Sequence, residues 1–338
     1  MQHGLLTGSF IPPTEQRELR ELTRYRCSLV EERARIVNRL QKTLEDTNLK
    51  LGDVATDILG KSARAMLNAL LAGETDPQVL AGLARGRMKA KRAALEQALV
   101  GELKPHHRFL LSEHLRLIDA LDEAIRRVGQ QIEARMGAPE ATLREQTAGV
   151  ETSQQESEVA GQLVVQEEQP ELTWAHAIVL LCTIPGISRR ASEVILAEIG
   201  LDMLRFKSAD HLASWAGMCP GNHESAGKRL SGRTRKGSPW LRKILVEAAH
   251  AAAHTKKTYL SAQYHRLAAR GGAKKAMVAV GHTILVIIYH VLRDQQPYTE
   301  LGGNYFDERD RQATERRLVR RLEKLGYEVS LKSTPPAA

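Results

Sequence analysis

The chain has 338 residues, enough for two modest domains, and its 49 Lys and Arg against 40 Asp and Glu leave a formal charge of +9. This surplus favours a polyanionic partner but does not specify a fold. Only three cysteines occur, Cys27, Cys182 and Cys219, and their odd number and wide spacing exclude a disulfide framework and a zinc knuckle and favour a reducing cytoplasm.

No segment predicts a membrane span or a signal peptide. The most apolar stretch, residues 278–292, contains His282 and His290 and is shorter than the roughly 20 residues that a span needs, so it predicts a buried helix. The first residues, MQHGLLTGSFIPP, lack the basic region, long apolar run and cleavage site of a signal peptide. We therefore expect a cytoplasmic protein without membrane contact.

The first part of the chain predicts long amphipathic helices. Residues 5–13 could form one strand, which Pro12 and Pro13 would end, and Thr14 can cap a following helix. Two segments, residues 14–51 and the stretch after Pro105, have an apolar residue at every seventh position with a second apolar row beside it. In the first these rows are Leu22, Leu29, Ile36 and Val30, Val37, Leu44; in the second they are Leu111, Ile118, Ile125, Ile132 and Leu121, Val128. The pattern predicts an antiparallel helical hairpin or a dimerising coiled coil.

The remaining segments predict shorter helices, a linker and a second domain. Residues 60–101 predict short helices with a break at residues 73–77. Residues 139–172 hold eight Glu against one Arg, which predicts a linker, although a solvated charged helix is an alternative. Residues 173–292 predict a compact all-helical domain, and a basic helix at residues 309–325 precedes the terminal STPPAA.

Residues 182–200 read CTIPGISRRASEVILAEIG and predict a helix-hairpin-helix. Gly186 would permit close backbone approach in the turn, and Ser188 would cap a second helix whose N-terminal amides can bind a phosphate. Arg189 and Arg190 would strengthen that contact. The alternative is a helix-turn-helix that serves packing alone.

The densest positive charge follows in residues 217–237, which we call the basic segment. From residue 221 to residue 275 there are thirteen Lys and Arg and two acids, so the charge is concentrated rather than spread. Five glycines interrupt the basic segment, which predicts a loop or hairpin instead of a continuous helix. The predicted nucleic-acid contacts are Lys228, Arg229, Arg233, Arg235, Lys236 and, just beyond the segment, Arg242. A solvated basic loop is the alternative.

Ser225, at the entrance of the basic segment, is the candidate nucleophile. A serine hydroxyl can attack a phosphodiester and form a phosphoserine bond, provided that nearby guanidinium groups stabilise the charge on the phosphoryl oxygens. Arg229, Arg233 and Arg235 are candidates for that role. From composition alone a turn or capping role is the more common one for a loop serine such as Ser225, and Ser231 and Ser238 are equal rivals.

Several motifs together resemble one known family. The order IPGIS, ILAEIG, WAGMCPGNHESAGKRLSGRTRKGSPWLR and KKAMVAVGHTILVIIYHVL closely resembles the C-terminal transposase domain of the bacterial IS one-ten family. The N-terminal stretch HGLLTGSFIPPTEQRELRELTRYRCSLVEERARIVNRLQKTLEDTNLKL looks like the segment that follows the family's RuvC-like domain. The resemblance covers most of residues 3–327, and the acidic linker is the divergent part.

The resemblance implies a DNA recombinase with two catalytic parts. A RuvC-like domain holds Mg²⁺ on an Asp-Glu-Asp-Asp set, the C-terminal domain supplies a nucleophilic serine, and a structured RNA guides the enzyme. The family's serine corresponds to Ser225, in the ESAGK motif. DNA, a structured guide RNA, and either further copies of the chain or a complete transposase are the partners implied, which would place the protein at the bacterial nucleoid.

The sequence departs from the family in its acidic residues. The strands that carry the four acids would lie before Met1, and residues 1–13 contain no Asp or Glu. Five glutamates of the first long helix, Glu18, Glu21, Glu31, Glu32 and Glu45, are expected to form solvated ion pairs instead of a metal site. The resemblance therefore implies a truncated transposase whose own residues bind no Mg²⁺ and which recombines poorly without a complete partner.

The sequence-based prediction is a mainly α protein with five parts: a RuvC-like remnant (1–13), a helical or coiled-coil region (14–138), an acidic linker (139–172), a serine transposase domain (173–295) and a basic C-terminal helix (296–338). Two other functions remain open. One is a noncatalytic DNA binder that modulates complete transposase; the other is a helix-hairpin-helix protein of DNA repair or junction binding.

Overall fold

A computed structural model describes residues 10–137, 172–221, 223–232 and 234–331. The described chain is mainly helical, which confirms the predicted fold class. It divides into two compact units: Glu21–Ala134 forms one, and the second joins the chain up to Arg20 with the chain from Arg135 onward. The predicted acidic linker falls almost entirely within residues 138–171, which lie outside the described part.

The unit Glu21–Ala134 is built on two long helices with shorter ones between them. The long helices are α1 (Thr14–Asp46) and α6 (Pro105–Met136), whose outer ends are counted with the other unit. Between them lie α2 (Leu51–Val54), α3 (Lys61–Ala72), α4 (Pro77–Gly82), a 3₁₀ helix (Gly86–Lys91) and α5 (Arg92–Ala98).

The two long helices run antiparallel within the chain. Arg33 of α1 forms an ion pair of 2.5 Å with Asp122 of α6. Farther along α1, Leu40 and Leu44 share a buried cluster with Leu111 and Leu115, which come earlier in α6. Of the two predicted arrangements, the helical hairpin is therefore the one that the structure contains, while dimerisation stays a prediction.

The seven-residue apolar pattern predicts the buried face correctly on α6 and only in part on α1. Leu111, Ile118, Ile125 and Ile132 are all buried. On α1, however, Val30 is 44% exposed, whereas the polar residues Thr23 and Arg26 are buried. The prediction is wrong at Val30 because a helix of 3.6 residues per turn drifts from a seven-residue repeat, and hydrophobicity alone cannot find buried polar positions.

The break predicted at residues 73–77 has a clear local cause. Gly73 ends α3 in the left-handed region, with a φ of 105°. Asp76 then caps α4, since its carboxylate accepts a hydrogen bond of 2.8 Å from the amide of Gln78, and Pro77 occupies the first helical position.

The second unit is a helical domain interrupted by one hairpin. Its elements are α7 (Trp174–Cys182), α8 (Arg189–Ile199), α9 (Ala209–Trp215), β1 (His223–Ser225), β2 (Lys228–Ser231), α10 (Pro239–His254), α11 (Tyr259–Gly271), α12 (Ala273–Asp294), α13 (Tyr305–Arg309) and α14 (Arg311–Glu323). The domain is therefore not all-helical, and the glycine-rich basic segment supplies the exception. The predicted basic helix is divided at Asp310, and no residue of α14 is buried.

Helices α8 and α12 form the centre of this unit. Every residue of α8 from Ala191 to Ile199 is buried. Helix α12 packs against α9, α10 and α11 and contains the stretch that the sequence predicts to be buried. It is the one described helix long and apolar enough to cross a membrane by length and composition, yet half of its apolar window is buried inside the unit.

The first turns of α1 belong to this unit and complete the end of α8. Gln16 donates a hydrogen bond of 3.1 Å to the carbonyl of Ala197, and Arg20 donates to the carbonyls of Ala197 and Glu198 at 3.2 and 2.9 Å. The indole N–H of Trp174 donates to Glu15 at 3.0 Å. The side chains of Gln16 and Arg20 thus satisfy carbonyls at the C-terminus of α8 that have no partner within the helix itself. Only Phe10–Pro13 of the predicted N-terminal strand are described, and they form no strand.

The turn between α7 and α8 packs into the unit. Ile184 and Ile187 are buried, and Gly186 has a φ of 90°. A Cβ on Gly186 would lie 2.3 Å from the carbonyl oxygen of Ala248 on α10 and 2.8 Å from the amide nitrogen of Ala252. The lack of a side chain at Gly186 therefore allows the backbone of the turn to contact the backbone of α10. That the turn is a nucleic-acid-binding helix-hairpin-helix stays a prediction.

Gly186→Ala should lower stability strongly. The added methyl group would overlap the backbone of α10 and would occupy a left-handed conformation, which together cost about 3 kcal/mol or more. Thermal unfolding followed by circular dichroism measures the loss. Gly271→Ala is the matched control, because its Cβ would make only an ordinary contact of 3.8 Å, and it should leave the midpoint nearly unchanged. Equal midpoints for the two variants would contradict the packing role.

Candidate nucleic-acid interface

The basic segment folds as a tight hairpin followed by an irregular stretch. Strands β1 and β2 pair antiparallel, with Ser225 opposite Lys228, and only Ala226 and Gly227 lie between them. Both turn residues have positive φ, 49° and 73°, as a two-residue turn of type I′ requires. Because Ala disfavours this region, the turn carries some strain at Ala226. The hairpin confirms the prediction of a loop or hairpin here.

Ser225 is exposed at the tip of this hairpin. Directly opposite residues in an antiparallel pair have Cβ atoms about 4.5–5.5 Å apart, so Lys228 is its nearest cross-strand neighbour. No described side chain forms a hydrogen bond with its hydroxyl. The geometry thus leaves the hydroxyl accessible beside a cation, which a nucleophile toward a phosphodiester would need.

Of the two other candidate serines, Ser238 is held in a structural contact. Ser238 caps α10: its hydroxyl accepts a hydrogen bond of 3.3 Å from the amide of Leu241 and donates one of 3.0 Å to Glu198. Glu198 is only 1% exposed, so the Ser238 hydroxyl is committed to a structural contact. For Ser231 the structure describes the backbone alone. Ser225 is the better nucleophile candidate of the two whose side chains are described.

A cysteine nucleophile is disfavoured at this site. Burial raises the pKa of the Cys219 thiol, and the negative charge of Asp210 raises it further. Its sulfur lies 3.8 Å from Nε2 of His282. A thiol with a raised pKa remains protonated at neutral pH and is a poor nucleophile, because the thiolate is the reactive form.

The two ends of the basic segment meet backbone to backbone. A Cβ on Gly237 would lie 2.2 Å from the carbonyl oxygen of Ala216, and one on Gly217 would lie 2.8 Å from the carbonyl oxygen of Arg235. Neither position has room for a side chain. The segment therefore leaves the end of α9 and returns to the same place before α10 begins.

Arg242 of α10 fixes this closure. Its half-buried guanidinium donates to the carbonyl of Gly217, to the hydroxyl of Thr234 and, at 3.5 Å, to the carbonyl of Arg235. It thus bridges both ends of the basic segment. Sequence reasoning named Arg242 as a nucleic-acid contact, and the structure gives it a positioning role in addition; contact with nucleic acid stays a prediction.

Of the other predicted contacts, three have exposed side chains and two have side chains that the structure does not describe. Lys228, Arg235 and Lys236 are exposed. Arg233 lies outside the described residues, and of Arg229 only the backbone is described, opposite Glu224. Their contact with nucleic acid is still a prediction for all five.

Ser188, Arg189 and Arg190, the residues predicted to bind a phosphate at the turn, differ in their contacts. Ser188 caps α8 as expected, since its hydroxyl accepts a hydrogen bond from the amide of Ala191 at 3.3 Å. Arg189 pairs with the buried Glu193 at 3.1 Å and also donates to the carbonyl of Gly137. Arg190 is exposed and has no acidic partner among the described residues. Arg190 is therefore the better placed of the two arginines to meet a phosphate.

A groove of about 890 Å³ runs beside the irregular part of the basic segment. Gly232 and Thr234 line one side, and Lys274 and Lys275 of α12 line the other. Sequence reasoning counted these two lysines in the regional charge but did not assign them to the site. Their separation of about forty residues from the basic segment hid the contact, which arises only because α12 packs against α10.

The described residues do not form a site that fits Mg²⁺. Among them no group of three or more His, Cys, Asp or Glu side chains lies close enough together to hold a metal ion. Of the glutamates on α1, Glu18 pairs with Arg135 at 2.5 Å and Glu45 accepts a hydrogen bond from Gln41 at 3.3 Å. That this chain binds no Mg²⁺ nonetheless stays a prediction.

One part of the chain, which includes the candidate site, is similar to a transposase family. Residues 179–266 match the family described as "Transposase IS116/IS110/IS902 family". The matched residues include α8, α9, the hairpin, α10 and therefore Ser225. The match confirms, over these residues, the family resemblance predicted from the motifs.

Two curated relatives are similar to part of the chain. The chain is 33% identical over 132 residues to the pilin gene-inverting protein of Moraxella bovis, a segment that covers 38% of this chain and 40% of that protein. The pilin gene-inverting protein of Moraxella lacunata matches with the same identity and the same coverage. The matched part thus spans well under two thirds of the length of either relative.

Arg242→Met should loosen the basic segment. Losing hydrogen bonds from a charged donor to three acceptors favours local opening by about tenfold or more. Limited digestion with trypsin should then cleave faster after Arg235 and Lys236, as mass spectrometry of the fragments would show. Lys256→Met removes an equal charge from an exposed loop and should leave that rate unchanged. An unaltered rate in Arg242→Met would contradict the bridging role.

Proposed function

We propose that this chain is the DNA-recombining part of a bacterial insertion-sequence transposase and that Ser225 is its nucleophile. The observation that carries the proposal is the position of Ser225: an exposed hydroxyl at the tip of a tight hairpin, directly opposite Lys228, inside the family-matched residues 179–266. The relatives named for inverting a pilin gene support a reaction that rearranges DNA.

The proposed step is a transesterification at phosphorus. The Ser225 oxygen forms a bond to the phosphorus of a DNA phosphodiester, the hydroxyl loses its proton, and the deoxyribose oxygen of the broken strand leaves and takes up a proton. The resulting phosphoserine conserves the energy of the DNA linkage for rejoining. Cations stabilise the charge that grows on the phosphoryl oxygens. Lys228 and Arg235 are described and exposed, and Arg229 and Arg233 complete the candidates.

The DNA itself would lie along the basic segment and its groove. Lys228, Arg235 and Lys236 on the segment and Lys274 and Lys275 across the groove supply positive charge without a described acid in the groove lining. Such like charges repel one another unless an anion is present, which favours a bound polyanion. Contacts of this kind bind the phosphate backbone and do not read the sequence.

Several parts of the proposal rest on the family resemblance alone. They are a structured guide RNA as partner, assembly with further copies or with a complete transposase, and a location at the nucleoid. By the same resemblance, Mg²⁺ would be held by the acidic set of a RuvC-like domain. In the family that ion supplies phosphate positioning and charge neutralisation.

Neutralising the basic segment should reduce the salt dependence of DNA binding. In Lys228→Gln with Arg235→Gln and Lys236→Gln, the plot of log affinity against log salt for a short duplex should become shallower by up to about 2.7, since each phosphate contact contributes about 0.9. Fluorescence anisotropy measures these affinities.

The matched control removes three exposed arginines that already have acidic partners. Arg92, Arg116 and Arg126 lie 3.1, 2.6 and 2.6 Å from Glu96, Glu113 and Glu123 in the other unit. Their replacement by Gln changes the net charge equally but should leave the slope nearly intact. The same slope change in both triple variants would show that DNA responds to net charge and not to this surface.

Ser225→Ala should abolish a covalent protein–DNA adduct while preserving DNA binding. The adduct is measured on denaturing gels after incubation with duplex from the ends of the insertion sequence, its guide RNA and Mg²⁺. Ser231→Ala, in the same hairpin, is the control and should retain the adduct. An adduct that persists in Ser225→Ala would refute its role; no adduct in the unaltered chain would favour the noncatalytic binder that modulates complete transposase.

A further inference from the structure

A second pocket, in the unit that also carries Ser225, combines aromatic rings with cations. It has a volume of about 480 Å³ and lies where the start of α9, the residues before it and the chain at residues 10–20 come together. Its lining contains no carboxylate among the described residues; it consists of Phe10, Pro12, Arg20, Arg205, Phe206, Lys207, His211 and Trp215. The function proposed above makes no use of this pocket.

The aromatic residues of the pocket are unusually exposed for their size. Trp215 is 47% exposed and Phe10 is 58% exposed. Trp215 also contacts Phe206, with ring centroids 5.7 Å apart and planes tilted by 57°. Large aromatic side chains usually bury most of their surface, so accessible rings beside a cavity point to a ligand that can stack on them.

The cations of the pocket are held in place. The guanidinium of Arg205 lies 4.6 Å from the ring centre of Phe10 and 4.5 Å from that of Phe206, so it is packed between two rings. Its Nε is buried and has no hydrogen-bond partner among the described residues, although another nitrogen donates to the carbonyl of Ile199. Lys207, next in the chain, is exposed. Arg205 thus holds the rings of Phe10 and Phe206 in position, while the exposed ammonium group of Lys207 can bind an anion.

His211 is positioned as a further polar group at the rim. Its Nδ1 lies 2.8 Å from the hydroxyl of Ser208, the residue that caps α9, and this contact fixes the ring orientation. The other ring nitrogen, Nε2, stays available for a hydrogen bond. A pocket with stacking rings, one fixed polar group and a free ammonium matches the chemistry of a nucleotide: a planar base and a phosphate.

The pocket is continuous with the basic segment. Trp215 ends α9, and only Ala216 separates it from Gly217, whose carbonyl accepts a hydrogen bond from Arg242. A strand bound along the basic segment would therefore pass close to the pocket. A base in a duplex is stacked and paired, so only an unpaired nucleotide could place its ring against Trp215.

We infer that this pocket binds an unpaired nucleotide of single-stranded DNA, with its base stacked on Trp215 and its phosphate near Lys207. The inference rests on the proposed function in assuming that DNA lies along the basic segment. It adds a site specific for single strands, where a strand end or an opened stretch next to the reaction would be held. Stacking of this kind tolerates any base, because every base has a π-face.

The first test follows Trp215 directly by its fluorescence. The chain also contains Trp174 and Trp240, so a Trp174→Phe, Trp240→Phe variant leaves Trp215 as the one tryptophan. Adding an oligothymidylate of about ten nucleotides, within the usual range of site sizes, should quench its emission. A fully paired duplex should quench it far less. No quenching by the oligothymidylate, or equal quenching by the duplex, would overturn the inference.

The second test compares affinities for the two forms of DNA. Trp215→Ala should weaken binding of the oligothymidylate by about 5- to 150-fold, whereas Trp215→Phe should retain most of the affinity because it keeps a stacking face. Leu204→Ala is the matched control: Leu204 is 85% exposed, adjoins Arg205 and does not line the pocket. Circular dichroism of each variant verifies that it is folded.

The two tests distinguish a failure of the single-strand pocket from a failure of the proposed function on which it rests. If the unaltered chain binds no duplex, the proposed function fails. If it binds duplex but Trp215→Ala leaves oligothymidylate binding unchanged, or weakens duplex binding equally, the pocket is not a single-strand site. Tighter binding of oligouridylate than of oligothymidylate would reassign the pocket to RNA.

Discussion

The close contact between Gly217 and Gly237 is the constraint on which the candidate site depends. With no side chain at either position, the end of α9 and the start of α10 can hold the two ends of the basic segment together, and Arg242 bridges them. The cations and Ser225 are therefore carried on a closed loop with a fixed base. A site that must orient a phosphodiester against one hydroxyl needs such a base, because small displacements of a nucleophile cost large factors in rate.

Sequence patterns predicted those features that local residues determine. Thr14 as the start of α1, the break at Gly73, the cap at Ser188 and the hairpin in the basic segment all follow from propensities within a few residues. What the patterns could not supply were contacts between distant parts of the chain. The inward-facing turn at Gly186 depends on the backbone of α10 that lies against it, which periodicity does not encode.

The arginines of this chain illustrate how far composition can identify a site. Arg189 and Arg242 belong to the same charge-rich region as Arg190 and Arg235 and are indistinguishable from them in sequence. Yet Arg189 pairs with a buried glutamate and Arg242 with backbone oxygens, while Arg190 and Arg235 face solvent. Part of the apparent DNA-binding charge therefore stabilises the scaffold. This division is typical of arginine, whose planar guanidinium serves several acceptors at once.

The hydrogen bonds from Gln16 and Arg20 to the end of α8 bear on how the protein can be dissected. The compact unit that carries Ser225 is discontinuous in sequence, since it includes the first turns of α1 as well as the chain after Arg135. An expressed fragment that starts at residue 172 would expose the carbonyls of Ala197 and Glu198, strip the buried Glu198 of Arg20 and free the indole of Trp174. A folded version of this unit alone would instead need the peptide of residues 10–20 fused or added in trans.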